Sequence, residues 1–487
     1  MSKLILIVCR QKNTNIIGIN NSIPWKCSED MHYFKQITNT TLNPSKKNLL
    51  IVGYNTFLSL PFNFKLNNRR IVVLLDNTKP VCKKYIEQKD IFCLQDTSGV
   101  IEHNLQTEFD RLINYDDYET VYIIGGSKIY ERYNNIVDEV LLGEIENNIM
   151  YTGENISKYT LPDNFVKEET IIKSENYTMT RYIPKVNHPE MQYILLMKKI
   201  MTTGNVRNME RTGTGTLSLF GEHLSIDLSR GYCPMLASRH MSAKLISDEY
   251  KWYLSGSTNV DDLRKISGKQ KTVWDDNTSR AFLDTNGLKD LAEGDIGASY
   301  GFQFRHFGAN YINCNTTYEG VDQVSTVIDE IHNNPHGRRH IISLWNPKDL
   351  KKMALPPCLR DYQFYVRKHI NSHGKIVDVI DCKADQRSSD FFLAGYWNIH
   401  QVAYLIYYII NELYKKYEDV YYPGKIIMNY GDVHIYSHQY DQCNKQIQIC
   451  NENDLNYYSV ESFSSEKGFT ITPAYKALSN LTSKMAV

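Results

Sequence analysis

The 487-residue chain contains no C-x-x-C pair, and its 10 cysteines are scattered along it. That excludes a zinc ribbon and leaves no disulfide framework; no metal is expected. Neither charge is in surplus, since Lys+Arg and Asp+Glu both number 55. Dedicated nucleic-acid binders usually carry a basic excess, so no such partner is expected. Long apolar runs are also missing. Leu4–Cys9 is too short for the core of a signal segment, and Val402–Ile410 is far below a membrane span. No membrane partner and a cytoplasmic location are the expectation. There is no internal repeat and no low-complexity stretch. What is present is a globular composition, 42% hydrophobic and 23% charged, at a length that suits two or three domains of about 100–200 residues.

Leu4–Val8, Leu49–Val52, Ile71–Leu75 and Val121–Ile124 are apolar runs of strand length. They alternate little, which implies strands buried on both faces. The expectation is a mainly parallel central sheet with flanking helices, an α/β domain over 1–183. Val137–Ile145, Val166–Lys173 and Tyr177–Ile183 read as later strands, the last two as a hairpin. Pro184 and Pro189 bracket a short polar stretch, and 184–189 is expected to be a linker. From 190 to 487 helical patterns cover Met191–Met201 and Asn398–Tyr417. Strand-like pieces lie at Leu217–Leu219, Ile341–Leu344 and Ile376–Asp381.

Within this second part, Leu355-Pro356-Pro357-Cys358 holds a thiol behind two rigid residues. Beside cations such a thiol is a candidate nucleophile, although a lone cysteine is more often buried and structural. Arg211-Thr212-Gly213-Thr214-Gly215-Thr216 lets a backbone approach a ligand while an arginine grips an anion; a solvated turn reads equally well. Arg338-Arg339 would point to opposite faces of a strand. Gln386-Arg387-Ser388-Ser389-Asp390 sets an arginine among hydroxyls and a carboxylate. In Gly431-Asp432-Val433-His434-Ile435-Tyr436 the histidine and tyrosine would share one strand face.

Each signal is weak alone. In this order RTGTGT (211–216), LPPC (355–358), QFYV (363–366), QRSSD (386–390), GDVHIYS (431–437) and KMAV (484–487) closely resemble thymidylate synthase from 188 to 487. The resemblance implies an α+β domain that methylates the uracil ring of dUMP with 5,10-methylenetetrahydrofolate. Cys358 matches the thiolate that adds to C6. Arg211, Arg387 and Ser388 match phosphate ligands. Arg338 and Arg339 match the pair reaching in from a partner subunit, which implies a homodimer. Asn398 matches the residue reading the uracil edge and favours dUMP over dCMP. His434 and Tyr436 match the ligands of the sugar hydroxyl. Glu249 matches the carboxylate organising proton transfer, and Asp390 a residue of the nucleotide and folate sites. Trp274, Asn277 and Tyr300 match positions at the cofactor and the reacting carbons, Tyr300 among the catalytic ones. Three departures stand out. Leu359 replaces the histidine that usually follows the nucleophile, Ala394-Gly395-Tyr396-Trp397 displaces a glycine and loses a proline before Asn398, and the tail after Pro473 is longer. A tuned rate and altered lid kinetics are expected from them.

In the first part Asp30 and Phe34 are four apart and share a helix face, which suits holding a flat heterocycle beside an acid. The plain alternative is Ser28 as N-cap with acids in the first turn. Val121–Ile124 runs into Gly125-Gly126-Ser127, a strand-to-helix turn of the kind that can bind phosphate. IIGINNSIPW (16–25), DMHYF (30–34), VGYNTF (52–57), RRIVVL (69–74) and VYIIGGSKIYE (121–131) together resemble dihydrofolate reductase over roughly 3–183. The two resemblances in one chain correspond to the bifunctional dihydrofolate reductase–thymidylate synthases. The second resemblance implies NADPH-dependent reduction of dihydrofolate. Asp30 would bind the pteridine and help deliver a proton, with Phe34, Val8 and Cys9 near the folate and Arg69 on its glutamate. Ile17, Gly18, Trp25, Gly53, Tyr54, Thr56, Gly125, Gly126, Ser127 and Tyr130 match cofactor or loop positions. Gly143 stands where the family has a threonine bonded to the acid. Tyr54 and Leu75-Asp76 replace groups that meet the NADPH 2′-phosphate, so tolerance of NADH is expected. The alternative is an active synthase carrying a degenerate reductase domain kept for binding or dimer support.

Overall fold

The computed structural model describes residues 2–61, 64–75, 90–95, 117–147, 149–209 and 213–483. The chain forms two compact units, 1–187 together with 368–377, and 188–367 together with 378–487.

The first unit is built on strands β1 (Lys3–Gln11), β3 (Lys47–Gly53), β4 (Arg69–Leu75), β5 (Ile91–Gln95), β6 (Tyr118–Ile123), β7 (Glu139–Ile145), β9 (Phe165–Lys173) and β10 (Tyr177–Pro184). Their order is β5-β4-β3-β6-β1-β7-β10-β9. The pairs from β5 to β7 are parallel, and β10 runs antiparallel to β7 and β9. The mainly parallel sheet and the terminal hairpin are therefore as the apolar runs indicate. Period-two geometry sorts the side chains. Ile5, Ile7, Leu50, Val52, Ile71 and Val73 pack on one face, and Leu6, Val8, Leu49, Ile51 and Val72 on the other. Helix α1 (Ser28–Asn39) covers the first face through Tyr33 and Ile37. Short helix α2 (Tyr54–Ser59) leaves the end of β3, and α3 (Ser127–Tyr133) covers the second face through Tyr130 and Tyr133. A small ribbon pairs β2 (Ile16–Ile19) with β8 (Ile156–Lys158). Cys27, not Ser28, holds the N-cap position of α1 and makes no side-chain cap bond; Ser28 is the first helical residue. Residues 368–377 also belong to this unit. The Tyr33 hydroxyl donates to the Ser372 carbonyl (3.1 Å), and the Thr40 hydroxyl to that of Gly374 (2.9 Å). The sequence pattern gave no sign of this segment.

The second unit opens with α4 (Pro189–Thr203). Its sheet contains β11 (Asn205–Met209), β12 (Thr214–Asp227), β13 (Ile341–Ser343), β14 (Leu359–Ile370), β15 (Ile376–Asp390) and β16 (Tyr422–Tyr436), ordered β11-β12-β16-β15-β14-β13. Parallel pairing of β15 and β16 sets Ser388 opposite Asp432 and Asp390 opposite His434. Helix α5 (Ala243–Leu254) and a long helix α6 (Tyr396–Tyr417) pack in the core. Residues 399–406 of α6 are all buried, so the helix is enclosed on every side. Its polar residues need partners there: His400 donates Nδ1–H to the Pro234 carbonyl (3.0 Å), and burial pushes its pKa down to about 4. A π-turn, Phe391–Gly395, precedes α6 where the sequence departs from the pattern it resembles. Chain 475–479 is tied to 236–241: the Tyr475 hydroxyl donates to the Leu236 carbonyl (2.9 Å), and Leu478 N–H to that of Ala237 (2.8 Å). The terminal KMAV lies outside the described residues. Among those residues no helix is long and apolar enough to cross a membrane.

Candidate active sites

In the second unit Cys358 stands at the mouth of β14. Its N–H donates to the Tyr300 hydroxyl (2.8 Å), and its carbonyl accepts from Arg387 N–H (2.9 Å). The Arg387 guanidinium donates to the carbonyls of Pro357 and Pro356, both at 2.9 Å, and lies over the Trp345 ring. Two prolines and one arginine thus place the thiol before any ligand arrives. Consecutive strand residues face opposite sides, so Leu359, only 2% exposed, packs into the core. The position after the cysteine is a packing position in this chain.

Glu249, on α5, sits in a cage of neutral donors. Oε1 accepts from the Tyr253 hydroxyl (3.0 Å) and Trp274 Nε1 (2.9 Å). Oε2 accepts from Trp397 Nε1 (2.9 Å) and Gln401 Nε2 (2.7 Å). Burial pushes its pKa up, while these four bonds pull it down. Tyr300 stacks on Tyr253 with ring centres 4.6 Å apart. Burial holds its phenol well above its usual value, so it stays a neutral hydroxyl. From Glu249 a chain of amides runs outward. Gln401 Oε1 accepts from Asn398 Nδ2 (3.0 Å), and Asn398 Oδ1 accepts from Gln386 Nε2 (3.0 Å). The remaining N–H and lone pair of Asn398 suit the edge of a planar heterocycle.

Asp390 caps the π-turn through Leu393 N–H (3.1 Å) and accepts from Gln439 Nε2 (3.0 Å). His434 Nδ1 pairs with Asp432 (2.7 Å), with its ring edge-on to Tyr436. Ser388 lies in register with Asp432, and Trp274 and Asn277 are buried. Arg338 and Arg339 are exposed beside a cleft lined by Asp329, Glu330 and His336, not by Cys358. Arg211 lies outside the described residues.

In the first unit Asp30 lies in the first turn of α1. Its Oδ1 accepts from the Tyr177 hydroxyl of β10 at 2.8 Å. Cys9, on β1, bonds the same carboxyl and accepts from Trp25. Desolvation raises the Asp30 pKa, and the Tyr177 and Cys9 bonds pull it back. Phe34 is half-buried on the same face. Val8 is separated from them, because its side chain packs on the other face of the sheet. Arg69 is 2% exposed. It donates to Thr38 Oγ1 (3.1 Å) and to the Lys65 carbonyl, and its guanidinium lies 4.4 Å from the Phe64 ring centre. Among the described residues its Nε has no partner, and burial pushes its pKa down to about 10. A buried cation without a carboxylate among the described residues is suited to an anionic ligand.

The ends of β3 and β6 meet through Gly53 N–H, which donates to the Gly125 carbonyl (2.6 Å). A Cβ on Gly126 would come within 2.9 Å of Thr56 Oγ1, and one on Gly53 within 3.0 Å of Ile129. Gly125, at φ +116°, needs glycine outright. Thr56, Ile129 and Tyr130 fill the space a Cβ would take, so glycine at 53, 125 and 126 brings the strand end, the turn and the start of α3 close together in a cradle. The Tyr130 hydroxyl donates to the Ile7 carbonyl (2.9 Å) beneath this cradle. Ser127 opens α3, and Ile17 packs with Ile129 and Tyr130, while Gly18 lies in β2. Tyr54 opens α2 and packs on the α1 face. Asp76 lies outside the described residues.

Sequence reasoning missed Tyr253, Trp397 and Gln401 around Glu249. Helical spacing offered a signal, since Tyr253 is four from Glu249, and Gln401 is three from Asn398. Tyr177 had none, because it meets Asp30 from 147 positions away.

Comparison with known proteins places these units. The family profile described as Thymidylate synthase matches residues 191–486, and that described as Dihydrofolate reductase matches 3–179. A putative bifunctional dihydrofolate reductase-thymidylate synthase of Oryza sativa subsp. japonica is 31% identical over 479 residues, covering 89% of this chain and 91% of the relative. The bifunctional dihydrofolate reductase-thymidylate synthase of Leishmania major is 31% identical, covering 89% and 84%. That of Paramecium tetraurelia is 34% identical, covering 89% and 87%.

Proposed function

The chain belongs to the bifunctional dihydrofolate reductase–thymidylate synthases, and from that membership we propose how its residues divide the work. It methylates dUMP to dTMP with 5,10-methylenetetrahydrofolate, then reduces the dihydrofolate so formed to tetrahydrofolate with NADPH. Cys358 adds as thiolate to C6 of the uracil ring, which makes C5 nucleophilic toward the one-carbon unit. Glu249, within its four donors, orders the proton transfers. Asn398 pairs with the uracil edge, and His434 and Tyr436 with the sugar hydroxyl. Arg387, Ser388 and Arg211 hold the phosphate, joined by Arg338 and Arg339 of a second copy. The exposure of those two arginines, away from Cys358, supports a homodimer. Trp274, Asn277 and Asp390 line the folate.

In the reductase unit bound NADPH supplies the hydride. The chain holds it against Gly53, Thr56, Gly125, Gly126 and Ser127, with Ile17, Gly18 and Tyr54 beside them. Asp30 binds the pteridine and feeds it a proton, Phe34 and Cys9 flank it, and Arg69 takes the glutamate carboxylate. Substituting Arg69→Leu is expected to raise the KM for dihydrofolate about 10- to 100-fold, as loss of a charge-assisted bond would, with kcat changed less than about threefold. Steady-state kinetics decide it, and an unchanged KM removes Arg69 from the folate site.

One observation carries the two-site reading. Each unit has its own desolvated carboxylate, Glu249 and Asp30, held by neutral donors. Nothing in the first unit favours a degenerate reductase. The test is two assays on one purified chain: dihydrofolate reduction followed at the nicotinamide absorbance, and dUMP-dependent dihydrofolate formation. Both rates are expected. A chain that converts dUMP yet reduces no dihydrofolate would leave the first domain a passenger.

A further inference from the structure

Asp30 is held by strands, not by its own helix. Three strands lie side by side under its carboxyl: β1 with Cys9, β7 with Gly143 and β10. Cys9 is opposite Gly143, which is opposite Met179, and Tyr177 lies two residues from Met179 on the same face of β10. The middle strand contributes no side chain at this point. A Cβ on Gly143 would stand 3.1 Å from Asp30 Oδ1 and 3.1 Å from both Cε2 and the hydroxyl oxygen of Tyr177. The backbone of Gly143 is ordinary, so it is space and not conformation that favours glycine there. We infer that Gly143 and Tyr177 work as a pair: the bare strand lets the Tyr177 phenol cross β7 and serve as the positioning residue of Asp30, fixing the carboxyl's orientation and its strength as an acid.

The titratable groups around Asp30 agree with this. Cys9 faces it from β1 and Tyr177 from β10, Cys27 and Glu29 lie beside it in sequence, and Tyr130, packed on the other face of the sheet, feels its charge. Burial and the neighbouring carboxylate push the thiol of Cys9 and the phenols of Tyr177 and Tyr130 upward, so all three stay protonated. Tyr177 is then a permanent donor to a group that does titrate. A donor to the charged form lowers an acid's pKa, and its removal raises it. Gly143 and Tyr177 are also mutually restrictive, because a side chain at 143 would crowd the phenol.

The inference rests on the reductase role given to Asp30, and its test is separable from that role. The Asp30 carboxyl is titrated by infrared difference spectroscopy in the full chain, with Asp30→Asn identifying the band. In Tyr177→Phe the midpoint is expected to rise by about one pH unit, the size of one bond to a charged group. The alkaline fall in kcat for dihydrofolate reduction should move by the same amount. Adding Gly143→Thr to Tyr177→Ala, which removes the ring atom as well as the hydroxyl that a Cβ at 143 would meet, supplies a new hydroxyl in the vacated space and is expected to return the midpoint toward the wild-type value. A Tyr177→Phe midpoint equal to that of the wild type overturns the inference. Should that variant fail to fold, Gly143→Ala, which crowds the phenol without removing it, is titrated instead; an unmoved midpoint there overturns it equally. A chain inactive as a reductase but showing the midpoint shift would refute the reductase role and leave the pairing standing.

Discussion

Cys358→Ser is expected to lower dUMP conversion at least about a thousandfold while leaving dihydrofolate reduction unchanged. The magnitude is that of losing an activated nucleophile. Uracil C6 needs an anionic attacker, and a serine hydroxyl ionises far less readily than a thiol. Neither of the groups bonded here is placed as a base for a serine: the Tyr300 hydroxyl accepts from the backbone N–H of residue 358, and Arg387 grips the preceding carbonyls. The loop geometry rests on Pro356, Pro357 and Arg387, so the substitution changes chemistry and not placement. Dihydrofolate formation, started with dUMP and methylenetetrahydrofolate, measures the loss. A serine variant within tenfold of the wild type would mean that Cys358 is not the attacking group.

Asp30→Asn should cost the reductase about 10²- to 10⁴-fold, the usual range for a general acid, with dUMP conversion intact. Its pH dependence carries more information than its size. Desolvation raises the Asp30 pKa above the ordinary carboxylate value. The protonated form therefore survives to higher pH, and activity is lost as pH rises through that raised pKa. Asparagine has no proton to lose. Its residual rate must draw the proton from solvent and should climb steadily as pH falls, without the wild-type midpoint. Rate profiles of both proteins, at saturating NADPH and dihydrofolate, test this. If the asparagine variant keeps the wild-type midpoint, another group titrates.

Strands β1, β3, β4 and β6 were legible because they are buried on both faces, and the residue types say so directly. The second sheet was legible only in fragments. β12 and β15 run 14 and 15 residues, yet only Leu217–Leu219 and Ile376–Asp381 read as strand. The rest of β15, including Asp385-Gln386-Arg387-Ser388, is polar because it carries site residues, and function overrode the hydrophobic pattern there. Helix α6 was visible almost end to end, because most of its circumference is apolar. Cys358, Glu249 and Asp30 were legible as members of motifs. Their cages were less so: the donors around Glu249 come from two helices and a turn, and the donors to Asp30 from strands distant in sequence. Helical spacing reaches three or four residues and no further.

The amides between Glu249 and Asn398 have a direction that cannot be reversed. A carboxylate can only accept, so Gln401 must turn its NH₂ toward Glu249 and its oxygen toward Asn398. Asn398 must then offer its own NH₂ to Gln401, and its oxygen is left for Gln386. An asparagine amide turned by 180° would exchange donor for acceptor, and the same side chain would then greet an amino-bearing ring instead of an oxo-bearing one. On the role proposed for Asn398, a carboxylate at the end of the line would set, through neutral side chains alone, which of two nearly isosteric bases is welcome. The preference so proposed is then set by the head-to-tail order of a relay and not by any one residue that touches the base.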